Sequence, residues 1–513
     1  MRKAVVVMVL ALSALMTACG TTSENPTAVE ANPIGTGATG TAAQPGDTDA
    51  GGGASSTSDF TIKWDKARKG LQSGTIEVPV DYDDPSQGRF TLHLVRHLAT
   101  NEDERIGTLL VNPGGPGFGG TTLAQQAQFI YGNDLLERFD ILGWDPRGTG
   151  ASTPAIDCFD DYDHFFDSAD ITPDDDAEKQ QSVDLAEEAA QDCETKNADI
   201  LQHVGTNDSA RDMDAIRQAL GEDEISYFGF SYGSELGATW ATLFPNTVRA
   251  AVLDGAADPN EDLDQSNVSQ MKGFEASLDT FLAQCSGDTS CAFHNGGDAE
   301  GAFDALMAKI DENPLPALDG RPKLTLGAAL SGVIEAMYSD ASWPTLATAL
   351  RDAQRGDGSG LMELYDAYYQ RQPDGTYDNS LEAFNVITCM DSADRPTVAE
   401  EDATAAEVHA VAPRLSPGTT GSYFCTFFPA TDDPRVTITG AGAGPIVVVG
   451  TTGDPSTPLE STRAMAKALE EGVLVIVHAN QHTGYGVNDC VDEAVDGYLV
   501  DPTNIPEDGL ECK

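Results

Sequence analysis

Short, continuous apolar runs recur along the chain and alternate with stretches of helical periodicity. Runs of this kind, rich in β-branched residues and followed by glycine, aspartate or asparagine, are typical of parallel strands buried on both faces of a sheet. The alternation predicts an α/β fold with a mostly parallel sheet. The runs are Thr108–Val111, Phe139–Trp144, Ile225–Phe230, Ala250–Leu253, Ile446–Val449 and Val473–Val477, and the alternating segments 75–80 and 90–95 predict opening strands.

The pattern changes between about residues 259 and 440, where strand-like runs give way to amphipathic helices such as Gly273–Cys285 and Ala302–Glu312. A long helical insertion between two strands is the usual form of a lid over a site at the strand ends. We therefore predict a core in two parts, residues 59–258 and 441–513, with a large helical cap (259–440) inserted before the last strands.

The N-terminus has the features of a bacterial export signal. Arg2 and Lys3 precede an apolar run from Ala4 to Met16, which is too short for a permanent membrane span. Cys19 follows small residues, as at the lipidation site of bacterial lipoproteins, although Met16 stands where leucine is usual. We predict a signal peptide (1–18) and a lipid-tethered disordered linker (19–58) that holds an exported protein at the membrane. The alternative is a secreted protein with a spare thiol at Cys19.

The charge of the chain excludes one class of partner. With 83 acidic and 29 basic side chains, the formal net charge is −54. No basic surface is available to neutralise phosphates, so the chain is not a nucleic-acid-binding protein. An acidic excess of this size fits a soluble, exported surface.

Eight cysteines remain besides Cys19, an even number in a chain that leaves the reducing cytoplasm. Pairing of sequence neighbours is the simplest hypothesis, and it gives 158–193, 285–291, 389–425 and 490–512. Metal binding is the rival hypothesis. It is weak because the chain has no CxxC spacing and its histidines are not grouped with the cysteines, and we expect no metal and no cofactor.

The pentapeptide Gly229–Gly233 has the form GxSxG, with Ser231 at its centre. By itself the pattern is weak evidence. Here it directly follows an apolar strand and precedes a helical stretch, Ser234–Leu243, which is the strand–turn–helix context of a nucleophile elbow. Ser231 is therefore the candidate nucleophile.

A serine nucleophile needs a histidine base and an orienting acid. In folds that carry a nucleophile elbow, these residues follow the serine along the chain in the order Ser, acid, His. His482 lies in a loop just past the last apolar run and is the candidate base, in preference to His409 within the cap and His478 at a strand end. Asp454, after the strand 446–449, is the candidate acid. Asp254, at the end of the preceding strand, is its rival.

Two backbone N–H donors are needed to stabilise the tetrahedral intermediate. One is the amide of Tyr232, next to the nucleophile. The other comes from the glycine-rich loop Asn112–Gly117, where Pro116 has no N–H and Gly115 is the predicted donor. This loop lacks the lysine of a phosphate-binding loop. Asp145 and Arg147, in the turn after the next strand, are predicted to hold that turn.

These motifs carry a family resemblance that covers the chain from about Trp64 to its end. The chain resembles the actinobacterial tripeptidyl aminopeptidases, exported α/β-hydrolase serine peptidases related to proline iminopeptidases. The resemblance implies an α/β-hydrolase fold, the triad of Ser231, Asp454 and His482, and peptide substrates. The segments that resemble the family are 112–117, 144–150, 229–233, 252–259, 450–458 and 481–486, with Cys490 and Cys512.

The chain departs from its relatives in lacking cysteines near Trp64 and Ser73, which indicates one lost disulfide. An aminopeptidase must also recognise a free α-ammonium group, for which carboxylates are the physical means. Asp391, beside Cys389, and Glu235, one helical turn past Ser231, are the candidates. For Glu235, a solvated position on the helix is the favoured interpretation.

The sequence thus predicts a membrane-tethered serine exopeptidase that acts on free N-termini. A lid-gated carboxylesterase or lipase with the same triad is the alternative, and dependence on a free amine would separate the two. A surface lipoprotein that uses the fold only for binding is disfavoured because the Ser, Asp and His order is intact.

Overall fold

The computed structural model of the protein describes residues 60–166, 172–173, 175–418 and 420–513. The predicted signal peptide, Cys19 and the linker 19–58 lie outside the described residues. Among the helices that are described, none is long and apolar enough to cross a membrane.

A ten-stranded sheet lies at the centre of the molecule. Its strands are β1 (Ile62–Trp64), β2 (Leu71–Pro79), β3 (Arg89–His97), β4 (Gly107–Asn112), β5 (Phe139–Trp144), β6 (Ile225–Phe230), β7 (Val248–Asp254), β8 (Ile446–Thr451), β9 (Gly472–Val477) and β10 (Leu510–Cys512). They are arranged in the order β1-β2-β3-β5-β4-β6-β7-β8-β9-β10. The first three pairings, β1 with β2, β2 with β3 and β3 with β5, are antiparallel, and all the others are parallel. The predicted α/β fold and its mostly parallel sheet are confirmed.

Helices cover both faces of this sheet. Leu110 of β4 packs into one apolar cluster, whereas its neighbours Leu109 and Val111 pack into another on the opposite face. This alternation explains the continuous apolar runs, because a strand covered on both sides needs apolar residues at every position. The helices outside the insertion are α1 (Thr121–Gln125), α2 (Ala127–Ile130), α3 (Asn133–Arg138), α4 (Tyr162–Phe166), α5 (Asp176–Lys196), α6 (Thr206–Leu220), α7 (Tyr232–Leu243), α15 (Leu459–Ala468) and α16 (Asp489–Val500).

Within the described part of the chain, seven further helices lie between β7 and β8, where the cap was predicted: α8 (Leu263–Gly287), α9 (Ala299–Glu312), α10 (Leu326–Met337), α11 (Trp343–Gln354), α12 (Ser359–Tyr368), α13 (Ser380–Asp391) and α14 (Val398–Val411). Helices α8 to α12 share an apolar core of their own, which includes Phe281 and Leu330. Helix α13 instead packs into the core of the sheet through Val386 and Cys389. The insertion therefore has an independent part and a part fused to the sheet, and the boundaries 259 and 440 stay a prediction.

One helix start has no local cap, and another differs from the sequence prediction. Helix α6 begins at Thr206, and its N-cap residue, Gly205, has no side chain that could cap it. The Thr206 N–H donates to the Asp391 side chain (2.6 Å), so the cap comes from a residue far away in the chain. Helix α8 begins at Leu263, ten residues before the predicted start, because Asp262 and Gln265 form a capping box there.

All four disulfides join sequence neighbours, as predicted: Cys158–Cys193, Cys285–Cys291, Cys389–Cys425 and Cys490–Cys512. The last of them ties α16 to the edge strand β10. The third ties the end of α13 to the segment that leads to β8. The last bridge therefore fastens α16 to the strand that pairs with β9, the strand that leads to His482.

Asp145 and Arg147 hold the turn after β5, as predicted. Asp145 accepts hydrogen bonds from the Thr121 hydroxyl (2.8 Å) and the Ala151 N–H (3.0 Å). The fully buried Arg147 guanidinium pairs with Asp212 and donates to main-chain carbonyls. Both side chains stabilise the turn.

Candidate active site

Ser231 lies in the sharp turn between β6 and α7. Its backbone adopts φ 55° and ψ −127°, a conformation that side-chain-bearing residues rarely take. The Ser231 N–H donates to the carbonyl of Asp254 at the end of β7 (2.8 Å), which fixes the turn to the neighbouring strand. A strained serine between a strand and a helix is the geometry of a nucleophile elbow.

The elbow leaves no room for side chains beside Ser231. A Cβ at Gly229 would lie 2.2 Å from the Gly233 carbonyl oxygen. A Cβ at Gly114, in the glycine-rich loop after β4, would lie 2.5 Å from the Phe230 carbonyl oxygen and 2.8 Å from the Ser231 Cβ. The glycine-rich loop is therefore packed directly against the turn that carries the serine.

His482 and Asp454 form a buried pair. The His482 Nδ1 lies 2.9 Å and 3.0 Å from the two Asp454 carboxylate oxygens. That carboxylate also accepts hydrogen bonds from the N–H groups of Ser456 (3.0 Å) and Thr457 (2.8 Å). Asp454 is thus held in place and orients the imidazole ring, with its Nδ1 directed at the acid.

The other ring nitrogen of His482 is buried and free. Among the described residues, the His482 Nε2 has no hydrogen-bond partner, and so no such bond joins it to Ser231. Catalytic hydrogen bonds of this kind commonly tighten only with substrate bound. Burial disfavours the imidazolium, but the Asp454 carboxylate outweighs it and raises the pKa of His482 above 6.5. A free Nε2 on a more basic ring suits a general base.

Asp254, the rival acid, does not contact the imidazole. Its carboxylate accepts hydrogen bonds from the N–H groups of Gly484 (2.7 Å) and Tyr485 (2.8 Å). Burial raises its pKa to about 7. Asp254 therefore holds the loop that follows His482, while Asp454 holds the ring itself.

Ser231 and His482 line one cavity of about 1010 Å³. Gly115 and Tyr232, the predicted oxyanion donors, line it too. Tyr232 is the first residue of α7, where an N–H has no partner within the helix and the helix dipole favours negative charge. The structure thus brings Ser231, His482 and both predicted donors to the same cavity, and Asp454 contacts the Nδ1 of the His482 imidazole.

The side chains proposed for substrate binding line this cavity but already have protein partners. Glu235 is not solvated, contrary to the favoured interpretation: its side chain is 12% exposed and pairs with Arg435. Asp391 accepts hydrogen bonds from the Thr206 N–H (2.6 Å) and hydroxyl (2.5 Å), and burial raises its pKa to about 7. The Thr206 hydroxyl in turn contacts the Tyr232 hydroxyl, so Asp391 supports the residue after the nucleophile.

The two histidines set aside in the sequence lie elsewhere. His409, on α14, has its Nδ1 2.7 Å from the Ser416 carbonyl oxygen. His478 is exposed and pairs with Glu511. Neither lines the cavity.

Two contacts of His482 escaped sequence reasoning. The main-chain N–H of His482 donates to the carbonyl of Tyr338 at the end of α10 (2.8 Å), and the centroids of the His482 and Tyr338 rings lie 5.7 Å apart. The Thr457 hydroxyl lies 3.3 Å from the His482 Nδ1. Thr457 stands three residues after Asp454, a spacing that could have indicated a local contact. Tyr338 lies far away in the chain and gave no such signal.

Known families match both parts of the core. A model of the α/β hydrolase fold matches residues 107–294, and a model described as TAP-like protein matches residues 416–512. The second match contains the candidate acid and histidine, and the first contains the elbow.

Curated relatives cover most of the chain. Serine protease Hip1 of Mycobacterium tuberculosis is 36% identical over 466 residues, which is 86% of this chain and 87% of that protein. Carboxylesterase B of the same species is 39% identical over 460 residues, 85% of each chain. Tripeptidyl aminopeptidase of Streptomyces lividans is 28% identical over 448 residues, 84% of this chain and 82% of that protein. The chain therefore belongs to the α/β-hydrolase family, as a serine hydrolase with a TAP-like C-terminal part.

Proposed function

We propose that the protein is an exported serine exopeptidase that releases short peptides, tripeptides among them, from free N-termini. Ser231 is the nucleophile, His482 the base and Asp454 the acid that orients it. The amides of Gly115 and Tyr232 form the oxyanion hole. Similarity to a serine protease and to a tripeptidyl aminopeptidase supports this assignment.

The observation that carries the proposal is the charge of the cavity over Ser231. Among the described residues that line it, ten are aspartate or glutamate, one is arginine and none is lysine. The single arginine, Arg435, is paired with Glu235. A site with this excess of carboxylates favours a cationic group, and the α-ammonium of a peptide is such a group.

The reaction proceeds through an acyl-enzyme. The Ser231 oxygen attacks the scissile carbonyl carbon while the His482 Nε2 takes the hydroxyl proton. His482 then donates that proton to the departing amine, and the C–N bond breaks. The C-terminal part of the substrate leaves, while the N-terminal segment stays esterified to Ser231. Water attacks this ester with His482 again as base, and the product acid leaves as the serine regains its proton.

The cellular placement follows from the N-terminus and the disulfides. Residues 1–18 act as an export signal and Cys19 as the lipid-modified anchor, so that residues 19–58 tether the enzyme outside the cell membrane. Four disulfides support an oxidising compartment. Residues 259–440 act as the cap that encloses the substrate.

A carboxylesterase is the second candidate, favoured by the 39% identity to carboxylesterase B. An esterase would use the same triad, but an ester substrate without an ammonium group would gain nothing from binding next to carboxylates.

The test compares three substrates on the purified enzyme, with Ser231→Ala as control. They are a fluorogenic tripeptide with a free amine, its N-acetylated twin and a short acyl ester. We expect a strong preference for the free-amine peptide, and loss of its cleavage in the variant. Equal or better turnover of the ester, without preference for a free amine, would favour the carboxylesterase instead.

A further inference from the structure

Glu335 is a carboxylate in the cavity wall that the catalytic machinery does not use. It lies in the last turn of α10, in the helical insertion, and lines the same cavity as Ser231 and His482. Tyr338 and Tyr368 line the cavity beside it, and the charge of Glu335 raises the pKa of both hydroxyls further above their ordinary range, where burial has already placed them.

Glu335 differs from other carboxylates of this cavity in having no partner. Glu235 pairs with Arg435, Asp391 accepts from Thr206, and Glu261 accepts from the Ser269 hydroxyl (2.6 Å). Across the described residues, no donor hydrogen-bonds to Glu335 and no cation pairs with it.

A carboxylate without a partner in the wall of this cavity lowers the stability of the folded protein, because burial disfavours its charged form. Consistent with this, burial alone raises the pKa of Glu335 to about 8. A bound cation would supply the missing partner. The neighbouring tyrosine side chains would strengthen the attraction, since they limit the water that reaches the carboxylate.

Glu335 is also close to the candidate base along the protein. It lies one helical turn before Tyr338, and residues three apart on a helix are neighbours on its surface. The Tyr338 carbonyl accepts the His482 N–H (2.8 Å), and the rings of these two residues are 5.7 Å apart. A cation held by Glu335 would therefore lie in the wall of the cavity that Ser231 also lines, one helical turn from the residue that contacts the candidate base.

We propose that Glu335 is the specificity-determining residue that binds the α-ammonium group of the peptide substrate. This inference rests on the proposed exopeptidase function and names the residue that makes it selective for free N-termini. Asp391 and Glu235, the two candidates that the sequence offered, instead keep their structural partners Thr206 and Arg435.

The test measures kcat/KM of the free-amine tripeptide and of the short acyl ester for wild type, Glu335→Gln and Glu261→Gln. Glutamine keeps the shape of the side chain and removes its charge. We expect Glu335→Gln to lower kcat/KM for the peptide by about 10- to 100-fold, mainly through KM, which is the loss of one charge-assisted hydrogen bond. Hydrolysis of the ester, which carries no ammonium, should change by less than about 2-fold, and this also shows that the variant is folded.

Glu261→Gln removes the same charge from the same cavity at a carboxylate that already has a partner. We expect the decrease in kcat/KM for the peptide to be at least about 5-fold smaller in Glu261→Gln than in Glu335→Gln. Glu261→Gln changes only the overall negative potential of the cavity and removes no direct contact with the ammonium group. Equal losses in the two variants, or unchanged peptide cleavage by Glu335→Gln, would overturn the role of Glu335 alone. A wild-type enzyme that hydrolyses the ester but not the free-amine peptide would overturn the exopeptidase function, and the role of Glu335 with it.

Discussion

Asp254 and Asp454 are both buried carboxylates at the ends of neighbouring strands, but they serve His482 in different ways. Asp454 contacts the imidazole Nδ1, whereas Asp254 contacts the main chain of the following loop. Sequence position alone made them rivals, because both follow an apolar strand. The contacts therefore assign different roles to the two residues. Asp454 changes the basicity of the His482 ring, and Asp254 positions the loop that follows His482.

This difference yields a prediction for Asp454→Asn. The carboxylate raises the pKa of His482 above 6.5 against the effect of burial, and only the neutral ring can accept the serine proton. In the wild type, kcat/KM should therefore fall as the pH drops through a value above 6.5. In Asp454→Asn we expect kcat to fall by about 10⁴-fold and the acid limb to move to lower pH. The measurement is a pH profile of kcat/KM on the free-amine tripeptide.

Asp254→Asn is the matched control for that profile, since it also removes a buried carboxylate near the base. We expect a much smaller loss of kcat and an acid limb that shifts less, because Asp254 does not touch the ring. If Asp254→Asn lost as much activity as Asp454→Asn, with the larger shift of the limb, the assignment of the acid would be wrong.

Among the elements, the glycine-rich loop after β4 depends on its close approach to the elbow that carries Ser231. Gly114 has φ 100°, and a Cβ there would meet both the Phe230 carbonyl and Ser231. The loop must stay against the elbow if Gly115 is to present its N–H to the oxyanion.

We therefore predict that Gly114→Ala displaces the loop and lowers kcat by about 10²- to 10³-fold, the effect of removing one oxyanion donor. Gly221→Ala is its control. Gly221 also has a positive φ (73°), but a Cβ there would meet nothing within 4 Å. Steady-state kinetics of both variants would decide. Equal activity of Gly114→Ala and Gly221→Ala would show that the loop does not supply a donor.

The elements also show what the sequence can predict. The central strands, the elbow, the pairing of neighbouring cysteines and the residues of the proposed triad follow from local patterns and their order. The start of α6 does not, since its first N–H is capped by Asp391. The burial of Glu235 depends in the same way on Arg435, and the role proposed for Glu335 depends on what surrounds it in the cavity. Contacts between residues distant in the chain leave no local signal.

At the scale of the whole molecule, buried carboxylates and the net charge of −54 act in the same direction. Burial raises the pKa of Asp254, Asp391 and Asp496 to about 7, and that of Glu335 to about 8. In the unfolded chain these groups lose their protons near pH 4. Between about pH 4 and 7 the folded state therefore holds more protons, and the free energy of unfolding falls as the pH rises.

We predict that the melting temperature decreases by several degrees from about pH 5 to about pH 8. Surface repulsion contributes to this decrease but is screened by salt, whereas buried groups are screened much less. Thermal unfolding at several pH values should therefore show a decrease that persists at about 0.5 M salt. A melting temperature that is constant or rises over this pH range at high salt would contradict the account of the buried carboxylates.

The central claim is that Ser231 forms a covalent intermediate with the help of His482. It is tested most directly by mass spectrometry after treatment with a fluorophosphonate, which reacts with activated serines. We predict one adduct per chain, located on the peptide that contains Ser231, with no adduct in Ser231→Ala and a strongly slowed reaction in His482→Ala. An adduct on another residue, or labelling of Ser231→Ala at the wild-type rate, would contradict the account.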